Sequence, residues 1–327
     1  MEMKKPRQYG VNILSIGGAV CAMLCLIFAP GEAIESARFA LSLCAELIVP
    51  SLLPFFTVSA LMIRLGVPAR LGQLLSPLAG RLWGVSGAGA TAFLAGICGG
   101  YPLGAQTIGE MYSEGLLSRD ESERLLGFCN NSGPSFLIGV IGSGVFSSRR
   151  AGLLLYASHV LAAVLTGILF RRSGNAVSSP PQEDAAPFSS ALVAAVRQSV
   201  SAVLSVCGFV ICFCVLSGLL ETLGVYRAAS AALSTAAVDE SVLHAFLVGI
   251  LELGSGVGQL RGIDPSLATF MLSAFLSGWG GLSVHFQTAA VLNETDLSMH
   301  WHRFGRLISG VLSALLAVAA GQFFYFA

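Results

Sequence analysis

Apolar residues in this chain run in long blocks and do not alternate with polar ones. Charge-free runs occupy 8–31, 47–63, 82–109, 125–148, 151–170, 198–220, 265–293 and 307–327, with shorter ones at 228–238 and 241–251. A membrane-crossing helix needs about 20 mostly apolar residues, so the pattern predicts an all-α polytopic membrane protein with about eight to ten membrane segments. The ten-residue alternation of a membrane β-barrel is missing. The runs 82–109 and 265–293 are too long for one simple helix, and both hold glycine clusters. They read as broken helices or re-entrant hairpins.

The polar positions punctuate these runs. Segment 32–48 mixes Glu32, Glu35, Arg38 and Glu46 with Ile34, Phe39, Leu43 and Leu47, which suits an amphipathic helix at the interface, ended by Pro50 before the next span. Lys4, Lys5 and Arg7 precede the first run, which reads as an uncleaved span with its N-terminus in the cytoplasm. Arg64, Arg70 and Arg81 place the chain back on the cytoplasmic side after the second span, but Arg149/Arg150 and Arg171/Arg172 flank one run at both ends, so no full topology follows. Residues 172–190 are polar and rich in Pro and Ser, a water-exposed linker between a first half, 1–171, and a second half, 191–327.

Composition narrows the class. Of 327 residues, 54% are hydrophobic and only 11% charged, with no net charge; soluble domains carry roughly 25% charged residues. That excludes a soluble enzyme, and the neutral balance offers no handle on nucleic acid. The eight cysteines form no C-x-x-C pair and read as small apolar residues. No G-x-S-x-G, H-E-x-x-H or Walker loop is present, so no enzyme activity, metal or cofactor is expected. His300-Trp301-His302 lacks a supporting cluster and reads as an interfacial belt.

The halves resemble each other. Phe55 aligns with Phe213, Ser59 with Ser217, and Leu65-Gly66-Val67 with Leu223-Gly224-Val225. Further on, Gly96-Ile97 and Gln106 match Gly249-Ile250 and Gln259, and Ser132-Gly133 matches Ser277-Gly278. Each half thus carries two glycine-rich breaks: Gly99–Gly104 and Asn130–Pro134, then Glu252–Gly258 and Ser277–Gly281. Interrupted hydrophobic segments paired in two halves point to a transporter site, where half-helix N-termini present backbone N–H groups to an anion.

Gly99-Gly100-Tyr101-Pro102-Leu103-Gly104-Ala105, Glu123-Arg124-Leu125-Leu126, Asn130-Asn131-Ser132-Gly133-Pro134 and, in the second half, Ser277-Gly278 with Leu282-Ser283-Val284-His285 resemble the YlbJ family of sporulation integral membrane proteins, also called SpoVV. Pro50-Ser51-Leu52-Leu53-Pro54-Phe55 fits the same family, and the resemblance covers most of the chain. It implies a nucleoside-recognition Gate domain, similar to concentrative nucleoside transporters. It also implies movement of dipicolinic acid from the mother cell across the outer forespore membrane.

The substrate-binding set expected from the breaks is Gly100, Tyr101, Pro102, Gln106, Asn130, Asn131, Ser132 and Gly133 in the first half. In the second half it is Glu252, Ser255, Gln259, Ser277, Gly278, Ser283 and His285. Amides, hydroxyls and backbone N–H groups would hold the carboxylates of a planar dianion, with Tyr101 or Trp279 stacked on its ring. The same groups would suit a nucleoside, so a nucleoside or related metabolite remains an alternative solute. A sporulation assembly or signalling protein without flux is the alternative class. Glu252, an ionisable group within a break, is a candidate carrier of a coupling proton or cation. His285 is either a substrate contact or a packing histidine. Residues 110–124 read as a solvated charged hairpin. The bilayer is the expected surrounding; an oligomer is possible.

Overall fold

The computed structural model describes residues 13–172, 187–233 and 239–324. The basic N-terminal residues and most of the polar linker therefore lie outside the described residues. The fold is all-helical and polytopic, as the hydropathy pattern expects. Its first half runs α1 (Ile13–Phe28), α2 (Pro30–Leu43), α3 (Val49–Arg64), α4 (Val67–Leu82), α5 (Gly87–Gly99), α6 (Leu103–Ser113), α7 (Arg119–Leu125) and α8 (Arg149–Leu169). The second runs α9 (Phe188–Thr222), α10 (Val225–Leu233), α11 (Glu240–Leu251), α12 (Leu253–Gln259), α13 (Leu267–Trp279), α14 (Gly281–Val291) and α15 (His300–Phe324). Five stretches among the described residues are long and apolar enough to cross a membrane: Pro30–Arg64, Arg149–Leu169, Phe188–Thr222, Leu267–Val291 and His300–Gln322. The pair α4–α5, bent by 90°, has the apolar length of a sixth.

Local chemistry sets the helix starts. Ser86, Ser118 and Ser148 each accept a hydrogen bond from the backbone N–H three residues on, and Ser266 and Thr269 form a reciprocal capping box. Two sequence expectations are corrected. Pro50 does not end a helix: α2 continues through a π-helical turn at Cys44–Ile48 into α3, and Pro50 sits near the start of α3, where a missing N–H is tolerated. Run 125–148 is no single span: after α7 the chain is irregular through Pro134, then forms a π-helical segment, Ser135–Ser143.

The matched Leu-Gly-Val triplets adopt the same turn. Gly66 and Gly224 have φ of 72° and 71°, a left-handed conformation that ends α3 and α9 and starts α4 and α10. α9 packs along α2 and α3, and α13 and α8 pack on α15. Between these groups lie the four breaks.

Candidate functional site

Each break is a helix start. α6 begins after Gly100-Tyr101-Pro102, the π-helical segment begins at Ser135 after Asn130–Pro134, α12 begins after Glu252, and α14 begins after Gly280. Glycine lets the breaks touch in pairs. A Cβ on Gly100 (φ +87°) would stand 3.0 Å from the Gly133 nitrogen, and one on Gly281 (φ +76°) would stand 3.0 Å from the Leu253 nitrogen. Backbone thus packs on backbone within each half, which only a residue without a side chain permits.

Hydrogen bonds then join the halves. The Tyr101 hydroxyl donates to the carbonyls of Ser277 (2.9 Å) and Gly278 (3.2 Å), and Ser132 Oγ donates to the same Ser277 carbonyl at 3.1 Å. Asn130 Nδ2 donates to Thr288 at 2.9 Å, and Asn131 Nδ2 to the Phe128 carbonyl at 2.8 Å. Behind them stands Arg306 of α15, fully buried. Its guanidinium donates to Tyr101 Oη (3.1 Å), Asn131 Oδ1 (3.2 Å) and the Gly127 carbonyl (3.0 Å). The Ser132 N–H donates to His159 Nε2 at 3.0 Å. Polar groups at membrane depth need such partners.

A central cavity of about 120 Å³ lies against this framework; one water needs roughly 10–15 Å³ on such a measure. Its polar lining includes Tyr101, Ser132, Glu252 and Gln287 among apolar side chains, with the backbone of Gly100 and Gly133. The residues before α6, the start of α12, the first two turns of α14 and the start of the Ser135 segment line it, so N-terminal ends of several helices lie near the cavity. The start of α12 is already neutralised: Glu252 is its N-cap, accepting from the Gly254 N–H (3.0 Å) and the Ser255 N–H.

Two larger cavities lie on either side along α9. One, of about 570 Å³, is lined by Glu32, Glu35, Glu221 and Arg261 and shares Leu43, Phe136 and Gly254 with the central cavity. The other, of about 450 Å³, is lined by Arg64, Gln106, Glu110, Glu114, Gln198 and Glu294. α9 reads them off in order: Gln198–Ser205 on the Glu110 cavity, Val206 and Val210 on the central one, Cys214–Thr222 on the Glu35 cavity. The antiparallel stretch α2–α3 does the same in reverse. Ala202 and Gly218, in the middle of the two flanking groups, are about 24 Å apart along the helix.

The expected set therefore divides. Gly100, Tyr101, Ser132, Gly133 and Glu252 line the central cavity. Gln106 lines the Glu110 cavity, while Ser255 and Gln259 line the Glu35 cavity. Asn130, Asn131, Ser277 and Gly278 form the clamp behind it, and Pro102 is buried at the start of α6. Ser283 is buried and accepts from Gln287 Nε2 at 2.9 Å. His285 does not line the cavity; its ring packs between Trp279 and His302, with centroids 4.4 and 4.9 Å away. Trp279 likewise donates to the Ile250 carbonyl, away from a solute. The reading of 110–124 as solvated is corrected too: Glu121 and Arg124 are buried, and Glu110 bridges helices. Sequence reasoning missed Arg306 and Gln287. Both were signalled by polarity inside otherwise apolar stretches.

Long apolar helices, several of them broken around a mostly apolar cavity with a few polar groups, define a polytopic helical membrane protein. The chain is 30% identical over 316 residues to the sporulation integral membrane protein YlbJ of Bacillus subtilis (strain 168), covering 88% of this chain and 78% of that protein. It belongs to the YlbJ family, and its role is that of an integral membrane protein of sporulation. No family model matches the chain, and no solved structure matches it.

Proposed function

We propose that this protein is a carrier, with no bond-making activity, that moves a small organic anion by alternating access. Dipicolinate is the first choice, carried from the mother cell across the outer forespore membrane. The observation that carries the reading is the series of three cavities along α9, with the smallest one ringed by helix starts. Dipole ends at a constriction favour a carboxylate there, and Arg306 adds a buried positive charge behind Tyr101. The matched residues support inverted halves: Gln106 and Gln259 fall on opposite flanking cavities, as do the Gly66 and Gly224 turns at opposite ends of the bundle.

Arginines give the orientation. Arg64, Arg70, Arg81, Arg119, Arg171, Arg172 and Arg197 gather at the Glu110 end, against Arg38, Arg149, Arg150, Arg227 and Arg261 at the other. The positive-inside rule therefore puts the Glu110 cavity on the cytoplasmic side. A neutral nucleoside-like solute is the second reading. It is favoured by the flanking cavities, each of which sets three carboxylates against one guanidinium.

Labelled dipicolinate uptake into proteoliposomes tests the proposal. Wild-type protein should exceed empty vesicles, and Tyr101→Ala or Gln287→Ala should lower uptake at least about tenfold, the equivalent of losing about 1.4 kcal/mol of binding. No uptake under either gradient direction sinks the dipicolinate reading. Inhibition by nucleosides but not by pyridine carboxylates selects the second one.

A further inference from the structure

We propose that Glu110 is a proton-binding site, closed into an acid–amide pair with Gln106, and that its proton travels with the solute. The second clause rests on the carrier reading above; the first does not. Glu110 and Gln106 lie one turn apart on α6, and Gln106 Nε2 donates to Glu110 Oε1 at 2.8 Å. Gln198 of α9 donates to the same oxygen at 2.8 Å. That amide's orientation is fixed, because its own carbonyl accepts from Arg64 of α3 at 3.0 Å. Both amides thus go to Oε1.

The other half of the Gln106 amide is left over. Gln106 is only 5% exposed, it lines the Glu110 cavity, and its Oε1 has no hydrogen-bond partner. A buried amide oxygen calls for a donor. A carboxylate offers none, being acceptor-only, whereas a protonated Glu110 carries one O–H. A proton passed from hydronium in the cavity to Oε2 breaks one hydronium O–H bond, leaves water, forms one O–H bond on Glu110 and offers the orphaned carbonyl a donor.

The charges facing Glu110 are of both signs. On its own helix Glu114 lines the same cavity, and after α14 Glu294 does so as well. Both disfavour a second negative charge. On α3, Arg64 favours one, but its guanidinium is turned to the Gln198 carbonyl and makes no ion pair with Glu110 among the described residues. From α9 the neutral Gln198 bonds to Glu110, while the neighbouring Arg197 is exposed. On α7, Arg119 and Glu123 are engaged with each other and with the segment at Asp296.

Placement gives the proton its use. α6 is one short helix with Glu110 toward one end and Tyr101-Pro102 just before the other, about 13 Å apart along the axis. The break that lines the solute cavity at Gly100 and Tyr101 therefore leads directly into the short helix that carries the proton site. Both flanking cavities are acidic, so an anion crossing them is repelled unless positive charge goes with it.

Infrared difference spectroscopy of the purified protein in lipid, between about pH 5 and about pH 9, tests the site without any solute. Wild type should show a protonated carboxylic acid C=O band persisting to about pH 6, above the ordinary glutamate value of about 4.3. Glu110→Gln should lose that band, Glu114→Gln should keep it, and Gln106→Met should shift its frequency by removing the carbonyl partner. A Glu110→Gln spectrum that retains the band overturns the site. Should that variant fail to insert, the Gln106→Met spectrum decides, and an unshifted band overturns the pair. In proteoliposomes, one coupled proton should drive accumulation of labelled dipicolinate by up to about tenfold per unit of pH gradient, and Glu110→Gln should remove that dependence. Uptake that follows a sodium gradient and ignores pH overturns proton coupling. An intact acid band with no dipicolinate uptake by wild type supports the site and overturns the carrier reading along with the coupling clause.

Discussion

Arg306 is fully buried on α15 and has no carboxylate within ion-pair distance among the described residues. Its charge is met by the Tyr101 hydroxyl and by an amide oxygen and a backbone carbonyl of the irregular segment after α7. This makes it a keystone of the clamp: it aims Tyr101 and fixes Asn131, and through them the irregular segment that precedes Ser135. Arg306→Met should leave Asn131 Oδ1 and the Gly127 carbonyl without a donor, and at about 1–3 kcal/mol for each orphaned group the loss outweighs relief of the buried charge. Arg306→Lys keeps the charge but not the fork and should recover part of the stability. Thermal unfolding in detergent checks both, with wild-type stability in the Met variant refuting the keystone role. Glu252 teaches the converse. It stood out in the sequence as the ionisable group in a break, yet both its oxygens accept backbone N–H groups at the start of α12.

At the scale of elements, glycine decides where helices can meet. A Cβ on Gly305 of α15 would lie 2.0 Å from the Gly127 carbonyl oxygen, and one on Gly96 of α5 would lie 1.7 Å from the Cys129 carbonyl oxygen. Two helices thus press on the same irregular segment from different sides. Gly305→Ala and Gly96→Ala should each cost about 1–3 kcal/mol through forced backbone shifts. Gly208→Ala, on α9 where a Cβ meets nothing within 4 Å, should be neutral or stabilise by up to about 1 kcal/mol. Melting temperatures of the three variants in one detergent provide the comparison. Equal shifts would deny the close packing. The sequence marked Gly96 as a repeat match but gave no sign that its partner was the carbonyl of Cys129, because that contact joins residues far apart in the chain.

Across the whole molecule, the order of the three cavities along α9 and, reversed, along α2–α3 gives the bundle two ends and one constriction. In the proposed orientation, the positive-inside rule puts the arginine-rich Glu110 end in the cytoplasm. With the native cysteines replaced and the protein expressed in the plasma membrane of non-sporulating cells, Glu35→Cys should react with an impermeant maleimide from outside intact cells. Ser201→Cys, on the Glu110 cavity, should react only after permeabilisation. The reverse pattern would invert the orientation and move the Glu110 site to the opposite compartment.

The long apolar runs, the scarcity of charge and the glycine clusters were enough by themselves to determine an all-helical membrane protein interrupted at four places. These are local properties: hydropathy over about 20 residues and the special backbone of glycine are written in consecutive positions. The triplets at 65–67 and 223–225 likewise carried a local turn, and both adopt it. Tertiary structure alone decided what the breaks face. Asn130 and Asn131 became a clamp because Thr288 and Arg306 arrive from the second half. Gln106 went to a flanking cavity because α6 leads away from its break. Glu110, the edge of a charged patch in the sequence, became a half-buried bridge when Gln198 of α9 came to lie against it. Each outcome rests on which distant helix supplies a hydrogen-bond partner inside a medium that offers none of its own, and that choice is made by packing.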